Sequence, residues 1–397
     1  TGPPKKEFVI PGPKVVDENG PPLNLKYHIT AYEPNTKVNL LYDIVNFKRE
    51  VTLSSGQTAT IGLTVPPVLL VKDSGYITIK ADKPISVSTG NTPPKPVILP
   101  AQQEGGEYYV VTPQGNSEDN KKEITIANSN KPNKVDIYVT GTVDHEGTTY
   151  PAGSKLSLNL SPSQVVDLQS SDDLSGTRVV STNAMALTSG YTCSGTVSPC
   201  YQVAMQLPPM SQWGKTYYVP SMAFTGSTDT VFIVASQTTV VEYVVGGIKQ
   251  SKIIKTGEVI KIEIVEFSSV FISCDQSVMV MYYCSGGQVG DRTYQPYLIP
   301  ITDADKFGNR YKVKGNPNVE KNVAVITAKT SDVSKLTFDD KPMSNIQWYQ
   351  ITGTDYSWGK YDVGTEPSEH IIELPDSRFG LMVVGFGKPV LTGNKPA

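Results

Sequence analysis

Apolar and polar residues alternate in short runs along this chain, and the runs end at glycine, proline or asparagine. SSGQTATIGL at 54–63, PAGSKLSLNL at 151–160 and KTGEVIKIEI at 255–264 each turn and then alternate with period two. That pattern predicts a half-buried strand entered from a tight turn. TEPSEHIIEL at 365–374 carries the same run without the glycine. Each is preceded by a pair of β-like runs with a short polar break: YHITAYEPNTKVNLLYDI from Tyr27, ITIANSNKPNKVDIYVT from Ile124, TVFIVASQTTVVEYVV from Thr230 and NVAVITAKTSDVSKLTF from Asn322. Each is followed by two more apolar runs around a break: GYITIKADKPISVSTG from Gly75, GTRVVSTNAMALTSG from Gly176, SSVFISCDQSVMVMYYC from Ser268 and the reduced SRFGLMVVGFG from Ser377. Pro84 sits in one such break, where it has no N–H for a ladder, so the strand is expected to bend there.

The recurrence predicts internal repeats. LPAQQEGGEYYV at 99–110, QLPPMSQWGKTYYVPSM at 206–222 and IPITDADKFGNRYKV at 299–313 share an order of proline, polar run, glycine and tyrosine. Phe8, Tyr108, Tyr217 and Tyr311 as equivalent starts divide the chain into repeats 8–107, 108–216, 217–310 and 311–397. An all-β chain of four antiparallel meanders is expected. Consecutive hairpins and short joints favour a closed, β-propeller-like assembly. Repeats of about 100 residues favour the alternative of tandem Ig-like β-sandwiches.

Composition agrees with the strand reading: among 397 residues there are 33 glycines, 30 prolines and 21 tyrosines. Lys plus Arg number 35 and Asp plus Glu 38, a net charge of −3 with the bases scattered. This argues against nucleic acid and anionic membrane as partners. No apolar run approaches the ~20 residues of a membrane helix. The opening TGPPKKEFVIPGP has no signal-peptide core, so the chain reads as a mature, processed product or a cytosolic one.

The four cysteines lean toward the first. Cys193 and Cys200 bracket the turn-rich CSGTVSPC, and Cys274 and Cys284 lie ten apart. An even count without nearby histidine reads as disulfides. Cys274 and Cys284 pair only if the chain reverses near Asp275, because a straight strand advances ~3.3 Å per residue. Asn159 opens an Asn-Leu-Ser glycosylation triplet that Pro162 follows.

Other motifs read as structure. His28, His145 and His370 fall in different repeats with no second ligand nearby, and each is read as structural, although a Ser-His-Asp set assembles in space rather than in sequence. Asp303 and Asp305 imitate the start of a calcium loop, but Phe307 and Lys314 stand at its fifth and twelfth positions. Asp172 and Asp173 read as a solvated loop, and the glycines 286, 287 and 290 as a turn lacking the strand-helix setting of a phosphate loop. Tyr108, Tyr217 and Tyr311 recur and read as packing. Trp213 is local to its joint and is the candidate ligand contact. No catalytic residue, metal or cofactor is expected.

The same segments resemble the N-terminal domain of the IgG Fc-binding protein family. The motifs that carry this are ADKPISVSTGN and VILPAQQEGGEYYVVTP in the first repeat, and ALTSGYTC with QLPPMSQWGKTYYVP in the second. YYCSGGQVGDRTYQPYLIPI in the third and ITGTDYSW, HIIEL and FGLMVVGFG in the fourth add to it. The resemblance implies a secreted, disulfide-containing, non-enzymatic domain of mucus or extracellular matrix. It would bind extracellular glycoproteins or glycans, with self-association possible. By resemblance Cys193, Cys200 and Cys284 match family cysteines. The alternatives are a carbohydrate-processing enzyme, which needs two facing carboxylates, and a structural component of a secreted fibre.

Overall fold

The structure is a computed structural model that describes residues 5–387 apart from 16, 32, 55–56, 91–98, 101–104, 116, 119, 130, 163, 193–202, 291 and 318. Among the described residues it is all-β, with only short 3-10 turns besides the strands. Two compact units divide it, 1–211 and 212–397.

The first unit opens with β1 (Lys5–Pro11), β2 (Leu23–Ala31), β3 (Thr36–Tyr42), β4 (Phe47–Leu53), β5 (Thr58–Val65), β6 (Tyr76–Gly90) and β7 (Leu99–Pro100). They form one sheet in the order β4-β3-β6-β1-β7, with β2 bridging β5 and β6. The first half of β6 pairs with β3 and β1, and its second half pairs with β2. The partners change around Asp82, Lys83 and Pro84, where proline cannot donate to a ladder. The expected break is therefore a change of partners inside one strand. Phe8, Tyr27, Ile29, Leu40, Ile61, Ile79 and Val87, from both halves of the sheet, share one buried cluster.

The unit continues with β8 (Glu107–Tyr109), β9 (Lys122–Asn128), β10 (Asn133–Tyr138), β11 (Val143–His145), β12 (Thr148–Tyr150), β13 (Lys155–Leu160), β14 (Val165–Ser170), β15 (Arg178–Ser181), β16 (Met185–Tyr191) and β17 (Val203–Gln206). Here two sheets stand separately, β13-β10-β15-β8 and β14-β9-β16-β17. The break between β15 and β16 is tied by Asn133, 4 % exposed. Its Oδ1 accepts from Asn183 N (2.9 Å) and Thr182 Oγ1 (3.0 Å), and its Nδ2 donates to Asn183 O (2.9 Å) and Asn128 Oδ1 (3.1 Å). One side chain thus satisfies the backbone that the break frees.

The second unit begins with β18 (Gly214–Pro220), β19 (Thr228–Ala235), β20 (Thr239–Val245), β21 (Ile248–Ile254), β22 (Val259–Val265), β23 (Ser269–Cys284), β24 (Gly287–Val289), β25 (Arg292–Tyr294) and β26 (Tyr297–Pro300). The sheet order is β21-β20-β23-β19-β22, with β18 and β26 also on β23. The start of β23 lies between β20 and β18, and its end between β19 and β26. The chain ends with β27 (Arg310–Lys314), β28 (Val319–Lys329), β29 (Thr337–Phe338), β30 (Lys341–Pro342), β31 (Tyr349–Gln350), β32 (Tyr356–Asp362), β33 (Glu369–Glu373) and β34 (Gly380–Gly387). Their sheets run β27-β33-β29-β30 and β31-β32-β28-β34. Val323, Val325 and Val384 join the buried cluster of Tyr217, Val231, Ile262, Ile272 and Val280, so the two parts of this unit share a core.

Two expectations are corrected. The propeller reading assumed that consecutive strands pair, but β19 neighbours β22 and β23, not β20. The polar break Ser236 to Thr238 carries the chain across to the other half of the sheet instead of closing a hairpin. These orders are not the meander that a blade requires. The sequence reading groups the run at 365–374 with those at 54–63, 151–160 and 255–264, which form β5, β13 and β22 and pair with β2, β10 and β19. In the structure β33 instead pairs with β27, as β6, β15 and β23 pair with β1, β8 and β18. The place on β28 goes to β32.

Candidate functional site

At the joint of 206–222 the sequence puts a glycine three residues before a tyrosine, and the structure shows why. Tyr217 Oη accepts from Gly214 N (2.9 Å) and donates to Val278 O (2.7 Å). Tyr311 repeats the latch, accepting from Gly308 N (2.8 Å) and donating to Phe379 O (2.7 Å). Burial raises the pKa of both phenols, so each remains a donor. A Cβ on Gly214 would fall 2.2 Å from Asp303 Cγ. Asp303, 4 % exposed, accepts from Asp305 N (2.9 Å) and pairs with Lys306 (3.3 Å). The calcium-like stretch is therefore a capped 3-10 turn. Trp213 is 7 % exposed and belongs to the core, which leaves little ring face for a ligand.

The other singled-out residues also land in structural settings. Asp172 accepts from Thr142 N (2.8 Å) and Asp173 from Ser175 N (2.9 Å). Gly286, just before β24, and Gly290, in the turn between β24 and β25, both have positive φ. His28 Nδ1 lies 2.8 Å from Thr60 Oγ1, and His145 Nε2 lies 3.7 Å from Glu146. Asn159 is exposed on the edge strand β13. No group of three or more His, Cys, Asp or Glu side chains among the described residues is placed to hold a metal ion.

Cys193 and Cys200 lie outside the described residues. Cys274 and Cys284 correct the expected pairing: both thiols are free, because β23 runs on through Asp275 without reversing. Burial pushes each thiol up to about 12, which keeps them protonated and inert.

Three arrangements carry the unusual chemistry of the two units. In the first, Glu123 on β9 and Asp167 on β14 lie diagonally across the ladder, Glu123 opposite Gln169 and Asp167 opposite Thr125. Gln169 Nε2 donates to Glu123 (3.1 Å) and Asp167 (3.0 Å), and Lys14 pairs with both. The pair of carboxylates that a glycosidase would need is here bound to an ammonium whose own pKa burial lowers. In the second, Asp229 is wholly buried among apolar residues. Its Oδ2 accepts from Tyr282 Oη (2.5 Å) and its Oδ1 from Ser285 N (3.0 Å) and Ser285 Oγ (3.2 Å). Tyr282 Oη in turn accepts from Met222 N (2.7 Å). Burial raises the Asp229 carboxyl above its ordinary value. Sealed in the core, it ties β19 to β23.

The third is exposed and is the best candidate for recognition. Ser268 N donates to Val265 O (3.2 Å), closing a turn whose third residue is Phe267 at φ 61°. Glycine or asparagine normally takes that position, since a Cβ is strained there. Phe267 is nevertheless 58 % exposed. Its ring leans on Tyr349 at 5.3 Å, and Tyr349 stacks on Trp358 at 4.8 Å. Trp358 is 1 % exposed and Lys360 lies over its ring. A ladder of three rings thus runs from the core to the surface and holds its outermost member rigid. Val265 (57 %) and Ile248 (65 %) add apolar surface. Ile248 opposes Val245, which opposes Val270, so it lies at the same end of the sheet. The sequence reading passed over this turn. The signal was a phenylalanine in EFSS, at a place where a strand-to-strand turn calls for glycine.

Sealed polar ties and an exposed aromatic projection thus stand on an all-β scaffold. A family model described as IgGFc binding protein matches residues 94–385. The chain is also similar to the IgGFc-binding protein of Homo sapiens, 31 % identical over 365 residues, which is 90 % of this chain and 7 % of that relative. The chain belongs to the IgGFc-binding protein family. It spans only a small part of the relative it matches, and no solved structure matches it. No helix among the described residues is long and apolar enough to cross a membrane.

Proposed function

We propose that this chain is a secreted adhesion and protein-interaction domain of mucus or extracellular matrix. The observation that carries this reading is family membership over most of the chain. Immunoglobulin Fc is the first partner to test, because the human relative is named for it, with other extracellular glycoproteins and glycans after it. The Phe267 turn supports the reading: rigid aromatic side chains give large contact area for little lost conformational freedom. The chain is read as four units, 8–107, 108–216, 217–310 and 311–397. The recurrent pairing of a first strand with a late one, β1–β6, β8–β15, β18–β23 and β27–β33, supports that division. Cys193 and Cys200 stay the candidates for a disulfide.

The test is surface-immobilised Fc, mucin glycoprotein and free glycan presented in parallel to this chain. Saturable binding to Fc or the glycoprotein that Phe267→Ala weakens supports the reading. Binding to none of the three rejects it.

A further inference from the structure

We propose that Ser368 is a nucleophilic serine, poised by His370 and Asp339 to take an acyl group from a carboxylic ester. The inference goes beyond the binding reading and does not rest on it. Ser368 stands just before β33 and His370 is its second residue, and the two side chains meet. Ser368 Oγ lies 3.1 Å from His370 Nε2, and His370 Nδ1 lies 2.6 Å from Asp339 Oδ2. Nucleophile, base and orienting carboxylate are in hydrogen-bond sequence, which is the arrangement that activates a serine.

The third member is held by backbone rather than by chance. Asp339 and Asp340 turn the chain between β29 and β30 with φ of 49° and 64°. Phe338 pairs with Lys341 around them, the geometry of a two-residue hairpin turn with both central residues left-handed. Asn-Gly is the usual choice there, so two aspartates are a strained one. The turn is fastened to β33: Asp339 N donates to Ile371 O (2.9 Å), and Ile371 N donates to Asp339 Oδ1 (2.9 Å). This leaves Oδ2 for the imidazole. The Ile371 amide first, and His370 second, hold the carboxyl below its usual range. An ionised carboxylate on Nδ1 fixes the tautomer with the proton there, so Nε2 is the acceptor and Ser368 donates to it. The Phe338 ring stacks on the imidazole at 4.8 Å and 29°, which fixes its plane. The imidazole is thus held by three neighbours, although its side chain is 22 % exposed. Ser368 itself is open to solvent.

In the step proposed, Ser368 Oγ attacks the acyl carbon and His370 Nε2 takes its proton. The bond from the acyl carbon to the leaving oxygen breaks, and that oxygen receives the proton from Nε2. An acyl-serine ester remains. Water then attacks it, giving its proton to Nε2, and the returning proton frees Ser368 with the carboxylic acid released. In a solvated site the developing oxyanion gains less electrostatic stabilisation than in a closed one. Esters with good leaving groups are therefore the substrate class, and amides are not.

The whole chain is treated with p-nitrophenyl acetate and, separately, with a fluorophosphonate, and the modified serines are located by peptide mass spectrometry. The expected result is modification of Ser368 at least about tenfold faster than the median exposed serine, in line with the usual size of general-base assistance. Asp339→Asn and His370→Gln should each remove that excess with the circular-dichroism spectrum unchanged, and Ser368→Ala should abolish the label. Ser368 reacting no faster than other exposed serines overturns the proposal. Reactivity that survives His370→Gln overturns it as well.

Discussion

The hydroxyl of Tyr217 accepts from the amide of Gly214, 2.9 Å away, and the same hydroxyl closes on the carbonyl of Val278. The first residue of β18 is thereby tied, through a side chain three positions on in the same strand, to Val278 of β23. Tyr217→Phe leaves a buried amide and a buried carbonyl unanswered, which costs about 1–3 kcal/mol per orphaned group at most. We expect a loss of about 2 kcal/mol in urea unfolding, with a smaller loss for the less buried Tyr311→Phe. Equal wild-type midpoints for both variants would show that the latch is not structural.

Asn133 is the corresponding tie in the first unit. Asn133→Ala removes acceptors and donors for Asn128, Thr182 and Asn183 at once. With Asn128 buried and the bonds to Thr182 and Asn183 half-buried, destabilisation of about 2 kcal/mol is expected. Hydrogen exchange should rise first at Thr182 and Asn183.

The buried Asp229 makes stability depend on pH with a definite sign. Its folded-state carboxyl is raised above the ordinary 3.8 by burial. Between those two values the folded chain holds a proton that the unfolded chain has released, so stability from this group falls as pH rises through that window. Asp229→Asn should flatten the slope of unfolding free energy against pH just above 3.8. A slope unchanged by the substitution contradicts the assignment.

Phe267 sets stability against binding. Phe267→Asn places a residue that tolerates positive φ, which relieves roughly 1–2 kcal/mol of left-handed strain. Loss of the contact with Tyr349 gives back about 0.5–1.5 kcal/mol. The midpoint of thermal unfolding should therefore move little, while affinity for the protein partner falls about tenfold or more, as for an exposed aromatic anchor. A variant that binds as well as wild type removes Phe267 from the interface.

Cys274 and Cys284 should be silent toward a thiol reagent at pH 8 in the folded chain, because burial holds both pKa values at about 12. Both should react at once in guanidinium. Rapid reaction of Cys284 in the native state would mean that its surroundings are open.

Local pattern alone determined that this chain is all-β, where most strands begin and end, and that the glycine-tyrosine joints are packing elements. These are properties of nearest neighbours: period-two alternation, turn residues and prolines act within a few positions. Ser368 and His370 lie two apart in sequence, within reach of nearest-neighbour pattern. Asp339 is not within that reach, because it lies 31 residues away and meets them only through a hairpin fastened to β33. Tertiary structure also decided that Trp213 is buried, that β33 lies beside β27, and that Phe267 is held outward by Tyr349 and Trp358. Which strand pairs with which depends on burying both faces of long strands such as β6 and β23. Alternation shows that a strand has a buried side, but its partners are selected by packing across the whole core.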